Sequence, residues 1–207
     1  MEQDAIFWNR IAEKYSRQPV ADEASYRKKL EITRKLLTKE MQVLELGCGT
    51  GSTAIAHAPF VKHIRAVDIS PEMLAIARTK ADAAGITNIS FECAAIDALR
   101  VADQNVEMVM MHSILHLLED RGAALAKVHA MLKPGGWLVS STMCMGDAMW
   151  LLKPVLPIMR SLGKAPRVVR FFTAKRLVKE TSDAGFEIHH QWQPSRRKAL
   201  FVVAKKV

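Results

Sequence analysis

Cysteine is scarce in this chain. Cys48, Cys93 and Cys144 are odd in number and widely spaced, so they outline neither a disulfide framework nor a four-cysteine metal site. Buried thiols in a reducing compartment are the expectation. No apolar run approaches the roughly 18 residues needed to span a bilayer. The opening MEQDAIFWNR has neither the basic flank nor the apolar stretch of a secretory signal. A soluble, cytoplasmic protein is therefore expected. Acidic residues are also in short supply: 21 Asp and Glu face 30 Lys and Arg, a net charge of +9. Between Asp147 and Glu180 there is no acid at all, while Lys153, Arg160, Lys164, Arg167, Arg170, Lys175, Arg176 and Lys179 fall there. Such an excess attracts nucleic acid, anionic membranes and acidic small molecules alike, and it speaks to association more than to fold.

What is present is alternation. Apolar, β-branched runs recur as QVLEL, HIRAVDI, NISFECA, VEMVMM, GGWLVSST, FEIHHQW and ALFVVAKK, and helix-like stretches separate most of them. That order predicts an α/β fold, a parallel sheet covered by helices on both faces. Ser70 before Pro71 reads as an N-cap with proline at the first helical position, and Gly85 as the left-handed residue that ends the helix. Thr173 to Gly185 repeats the arrangement. The last two runs are separated only by QPSRRK, too little chain for a helical crossover, so they form an antiparallel hairpin. With 207 residues, one domain spanning 1–207 is expected. A helical segment, 1–40, precedes the first strand, and an insertion, 146–172, follows the GGWLVSST strand.

The stretch VLELGCGTGSTA carries the chemistry. A glycine-rich turn from a strand into a helix lets backbone approach a ligand closely, and the helix start offers unpaired N–H groups. Gly47, Gly49 and Gly51 occupy that turn, and Asp68 ends the next strand, 17 residues after Gly51. A carboxylate there can accept hydrogen bonds from two ribose hydroxyls. A dinucleotide fingerprint would need glycine where Ser52 stands. The combination points to an adenosine-type ligand with a free ribose.

At this point the chain resembles the class I S-adenosylmethionine-dependent methyltransferases, through VLELGCGTG, AVDISPEMLAIAR, LKPGGWLVSST and FFTAKRLVKETSDAGFEI in order. The resemblance implies a Rossmann-like three-layer sandwich, with a mostly parallel seven-stranded sheet ending in the antiparallel hairpin. It implies S-adenosyl-L-methionine as cofactor and S-adenosyl-L-homocysteine as product. The loop from Glu45 to Gly51 would wrap the methionyl part, with Cys48 a small residue in the turn and not a nucleophile. Ile69 and Met73 would pack on adenine, Ala95 and Ile96 would meet its edge, and His112 would lie beside the sulfonium. Tyr15, in a segment that looks like the entry helix of small-molecule and quinone-ring methyltransferases, would cover the amino-acid end. Relatives often carry Asp or Asn at the position of Ala95; alanine cannot accept the adenine amino bond, and Asp97 is the candidate replacement.

Methyl transfer needs alignment and water exclusion first, because the cofactor carries the reactive group. A general base is optional, and His116, four residues from His112 and expected to share a helical face with it, is the candidate. Glu119 and Asp120 have no third ligand at sensible spacing, so no metal is assigned. Nucleic acid is disfavoured as substrate, since the Asn-Pro-Pro-aromatic motif of amino-methylating nucleic-acid enzymes and the Pro-Cys nucleophile of cytosine C5 enzymes are missing, as is the paired-glutamate loop of protein arginine methyltransferases. The acceptor question falls to 146–172. Met149, Leu152, Leu156, Met159 and Leu162 recur at helical spacing and Trp150, Leu151, Val155 and Ile158 cover another side, so this stretch should be buried or face an apolar ligand. Pro154 and Pro157 should break it into short pieces. Met149, Trp150 and Arg170 are the candidate acceptor contacts. The leading expectation is a small apolar or amphipathic acceptor. The alternatives are a peripheral phospholipid N-methyltransferase in contact with an anionic membrane, and a protein that binds the cofactor without turnover.

Overall fold

In a computed structural model describing residues 2–207, with side chains from Ala5 onward, the seven apolar runs pair in one sheet of order β3-β2-β1-β4-β5-β7-β6. The strands are β1 (Gln42–Leu46), β2 (His63–Asp68), β3 (Ile89–Cys93), β4 (Val106–His112), β5 (Leu132–Thr142), β6 (Phe186–Trp192) and β7 (Leu200–Lys206). β1 runs parallel to β2 and β4, and β2 parallel to β3. β7 is antiparallel to both β5 and β6. The mostly parallel sheet with its terminal antiparallel hairpin is thus the observed fold. The chain divides into two compact units, one comprising the residues up to Arg100 with Val106–Met110, the other Val101–Asn105 with Met111–Val207.

In the first unit, α1 (Glu2–Arg17), α2 (Glu23–Arg34), α3 (Ser52–His57) and α4 (Pro71–Ala83) accompany β1 to β3. Leu44, Leu46, Ile64, Ala66, Val67, Leu74 and Ala77 are wholly or almost wholly buried, which is why these strands read as continuous apolar runs. The cap of α4 forms as expected: the Ser70 hydroxyl accepts the Met73 N–H at 3.1 Å. That hydroxyl also donates to Asn9 Oδ1 at 2.6 Å, which ties α1 to the start of α4.

In the second unit, α5 (Arg121–Met131) and α7 (Ala174–Asp183) accompany β5 to β7. Leu125, Val128, Leu132, Val139, Leu177, Phe201, Val202 and Ala204 form its core. Asp120 caps α5 by accepting the Ala123 N–H at 2.9 Å, and Thr173 caps α7 by accepting that of Arg176 at 3.2 Å. The insertion is an excursion with a closed stem: the Gly146 N–H donates to the Phe172 carbonyl at 2.9 Å. A Cβ at 146 would lie 2.8 Å from the Phe172 carbonyl carbon, so glycine is what lets the two strands of the stem meet. Within the excursion a 3-10 turn at Trp150–Val155 leads into α6 (Leu156–Ser161), broken where the two prolines stand.

Candidate functional site

β1 delivers the loop. Its last residues turn through Gly47, Gly49 and Gly51, with φ of 71°, 53° and 75°, a conformation that glycine adopts without Cβ strain. At Gly51 there is a packing reason as well, since a Cβ would sit 2.9 Å from the Ala77 Cβ of α4. The loop is then fixed from β2. Asp68 Oδ2 accepts the Gly49 N–H at 2.8 Å, and Oδ1 accepts the Ser70 N–H at 2.9 Å. A carboxylate has about four acceptor positions, so Asp68 retains capacity for a further donor. Burial raises its pKa, and the backbone donors at Ser70, Gly49 and Ile69 oppose that rise. Lys80, reaching from α4, donates to the Thr50 hydroxyl at 3.1 Å and braces the loop from a third direction.

Glu45 is the anomaly of the first unit. It lies mid-strand in β1, paired with Ala66 on one side and Met110 on the other, and is 1% exposed. Its Oε2 is buried without a hydrogen-bond partner among the described residues. Burial, reinforced by the negative charge of Asp68 and only partly opposed by the Ala54 N–H, pushes its pKa up to about 8. A carboxyl group left this way is a vacancy for a cation or a strong donor, because an unsatisfied buried carboxyl costs stability. Cys48 is buried nearby, and burial followed by the two carboxylates raises its thiol well above the ordinary value, so it stays protonated and is no nucleophile.

The other expected cofactor contacts of this unit lie as follows. Tyr15, on α1, is 46% exposed, and its Cε1 stands 4.0 Å from where a Cβ on Gly49 would be. Met73 is buried in the first turn of α4, and Ile69 is half-buried beside Asp68. Ala95 and Ile96 are half-buried after β3, and the Ala95 carbonyl accepts the Leu99 N–H at 2.9 Å. Asp97 is exposed, and its Oδ1 accepts the Ala98 N–H at 3.0 Å, so part of this carboxylate serves its own turn.

In the second unit the expected helical pairing of His112 with His116 does not form. His112 is the last residue of β4, while His116 sits in a 3-10 turn at Leu115–Leu117, because Ser113 takes a left-handed φ of 56° and breaks the chain direction between them. The turn is held by the Arg170 N–H, which donates to the His116 carbonyl at 2.8 Å. Burial lowers the His116 pKa to about 4, and its Nδ1 is buried without a partner among the described residues. It is therefore a neutral imidazole at pH 7.

Spacing gave no sign of Arg121 and Glu180, 59 residues apart. Arg121 is buried, donates from Nε and Nη2 to both Glu180 oxygens at 2.9 Å, and lies 4.0 Å from the centre of the Phe172 ring. Burial works to raise the Glu180 pKa, but Arg121 and Arg176 together outweigh it and hold the group below the ordinary value. Arg170 lines the polar hollow formed by this cluster. Nothing in the residues around Arg121 marks it as the buried member of such a pair.

Met149 is half-buried, but the segment after it departs from expectation. Trp150, Leu151, Leu152, Val155, Ile158 and Leu162 are between 39% and 66% exposed, and among the residues of the 3-10 turn and α6 only Leu156 is buried. A packed cap helix is thereby ruled out for this stretch. The turns are too short to bury more than one face, and the prolines prevent the longer helix that could.

Comparison with known proteins bears on the same residues. A family described as methyltransferase domain matches residues 43–136, which contain the glycine loop and Asp68. An uncharacterised methyltransferase of Bacillus subtilis, YcgJ, is 30% identical over 97 residues, covering 47% of this chain and 38% of that protein. Its crystal structure superposes with a TM-score of 0.72 at 18% identity, over 87% of this chain and 98% of that one. A ubiquinone biosynthesis O-methyltransferase of Idiomarina loihiensis is 31% identical over 153 residues, 70% of this chain and 61% of that protein. A tRNA 5-carboxymethoxyuridine methyltransferase of Escherichia coli is 31% identical over 102 residues, 48% of this chain and 39% of that one. This chain thus spans less than two thirds of the length of each of these three sequence relatives.

Proposed function

We propose that this chain, whose residues 43–136 match a methyltransferase domain, is a class I S-adenosylmethionine-dependent methyltransferase that acts as one domain and transfers the cofactor's methyl group to a small apolar or amphipathic acceptor. The observation that carries the reading is the buried Glu45 carboxyl, whose Oε2 has no hydrogen-bond partner among the described residues, in the strand that leads into the glycine loop held by Asp68.

The residues fit the cofactor on their own chemistry. Asp68 keeps acceptor capacity for a ribose hydroxyl, and the loop amides and positive-φ glycines leave room for backbone approach. Glu45 offers an acceptor to the cationic amino-acid end, and Tyr15 is placed to cover that end of the loop. Asp97, whose Oδ1 already serves Ala98, is the side chain proposed to take the adenine amino group in place of a residue at Ala95. If cofactor affinity is the same in Asp97→Ala, a backbone carbonyl takes that role instead.

When bound, the cofactor supplies a methyl group on a positively charged sulfur, which needs no further activation. The protein's part is to hold the acceptor's nucleophilic atom in line and dry. His112 is proposed beside the cofactor's sulfur. His116, neutral and with a partnerless Nδ1, is in the right protonation state to take a proton from an acceptor, but a pKa of about 4 makes it a weak base. An acceptor acidic enough to ionise unaided suits this chain best. Met149, Trp150 and Arg170 are the proposed acceptor contacts, the first two apolar and the third for an anionic group.

The relatives' names span a quinone-pathway O-methyltransferase and a tRNA-modifying enzyme. The apolar character of residues 149–162 favours the first kind of acceptor. The test has two stages. Calorimetry with S-adenosylmethionine and its demethylated product should give binding of both; binding of neither rejects the proposal. A labelled-methyl screen over phenols, quinols, amines, lipids and RNA should then show transfer to an apolar small molecule. Transfer to RNA alone would replace the acceptor class while leaving the reaction.

A further inference from the structure

Six large apolar side chains, Trp150, Leu151, Leu152, Val155, Ile158 and Leu162, stand in water within thirteen residues. Single exposed apolar residues are ordinary, but a concentration of this kind on one short segment marks a surface that something covers. Residues 150–164 also carry Lys153, Arg160 and Lys164, all exposed and none in an ion pair among the described residues. No acid lies between Asp147 and Glu180 to neutralise them. Arg167, Arg176 and Lys179, by contrast, are paired with Glu119, Glu180 and Asp183. Lys153, Arg160 and Lys164 therefore stand unneutralised among or next to the exposed apolar residues.

From this pairing of features we infer that residues 151–164 dock on an anionic lipid bilayer, the apolar side chains entering the headgroup boundary and Lys153, Arg160 and Lys164 meeting lipid phosphates. Charge decides the occupant. A second copy of the same face would set like charges against each other, whereas a bilayer bearing anionic lipid is complementary in both charge and polarity. Leu156, buried, fixes the segment to its unit so that its neighbours remain outward. No helix among the described residues is long and apolar enough to cross a membrane, and the proposed contact is one of docking at the surface. The inference goes beyond methyl transfer and does not depend on it.

The experiment is flotation of the whole chain, without cofactor, on phosphatidylcholine vesicles with and without about a third phosphatidylglycerol, at about 0.1 and about 0.5 M salt. Expected is binding to the anionic vesicles that weakens in high salt. Leu151→Ser/Ile158→Ser should lower the partition coefficient by about tenfold or more. Lys153→Glu/Arg160→Glu should lower it by roughly fivefold per residue or more and remove the salt dependence. Both variants change exposed positions, and an unshifted melting temperature with unchanged S-adenosylmethionine affinity verifies that they fold. No binding of the wild type to anionic vesicles overturns the inference. So does binding that Leu151→Ser/Ile158→Ser leaves intact. A wild-type dimer dispersed by that variant, without vesicle binding, assigns the face to a second copy instead. A chain that binds vesicles but not S-adenosylmethionine would keep this inference and lose the one above.

Discussion

Asp68 holds Gly49: its Oδ2 accepts the loop amide at 2.8 Å, so the carboxylate proposed for the ribose is also the group that shapes the turn around it. Removing it therefore has two effects, loss of a ligand contact and release of the loop. Asp68→Ala should weaken S-adenosylmethionine binding by about 100-fold or more, since hydrogen bonds to a charged group contribute about 1.5–3 kcal/mol each. Asp68→Asn can still accept from Gly49 through its amide oxygen and should lose less. Calorimetry on both variants measures the difference, and equal losses would mean that the clamp counts for nothing.

Glu45 should bind and release a proton with the ligand. Its folded pKa of about 8 lies above the ordinary carboxyl value of 4.5, so its contribution to stability is fully present below pH 4.5 and is lost as pH rises through 8. By pH 7 roughly 3 kcal/mol of it has been lost. Glu45→Gln should thus flatten the pH dependence of stability between pH 5 and 8, to be read from denaturant titrations. Binding of a cationic ligand at pH 7 should expel close to one proton in the wild type and none in Glu45→Gln. Calorimetry in buffers of different ionisation enthalpy counts it.

Gly49 and Gly51 have similar backbone angles but different surroundings. At Gly51 a Cβ would meet Ala77 at 2.9 Å, whereas at Gly49 the nearest atom is the Tyr15 ring carbon at 4.0 Å. Gly49→Ala should cost about 1–2 kcal/mol of stability from backbone conformation alone. Gly51→Ala should cost more, by about 1–3 kcal/mol for overpacking against α4. Thermal denaturation of the two variants ranks them.

His57 should drive acid unfolding. It is 1% exposed, both ring nitrogens lack partners among the described residues, and burial followed by the charge of Arg34 lowers its pKa to about 4. Between pH 6.5 and 4 the unfolded chain binds a proton that the folded one refuses, so stability falls as pH drops through that window. The loss is about 3 kcal/mol by pH 4. His57→Leu should remove its share of that slope, leaving the comparable one from His116, whose pKa burial also lowers to about 4.

Much of the fold was legible because it is written locally. Ser70 with Pro71, Thr173 and the left-handed Gly85 and Gly185 announce helix ends through groups a few residues apart, and all four act at those ends. The short connection QPSRRK forced the hairpin for reasons of chain length alone. The glycine loop and Asp68 were legible as a pair. What was hidden depends on partners distant in sequence: the bond from Gly49 to Asp68, the clasp of Arg121 on Glu180, and the lack of any partner for Glu45 Oε2. Residues 150–162 failed for another reason. Apolar periodicity predicts that a face wants cover, not that the chain supplies it, and here two prolines leave turns too short to provide their own.

The closed stem from Gly146 to Phe172 has a consequence for how such a chain can diversify. With both feet joined by one backbone hydrogen bond, the excursion between them behaves as a cassette on a fixed socket. Changing its length alters the closure entropy only logarithmically, about 0.6 kcal/mol for a doubling. Sequence drift there leaves the strand before it and the helix after it in place. A lineage could exchange one cassette for another and acquire a new acceptor or a new docking partner, while the glycine loop upstream went on holding the same cofactor.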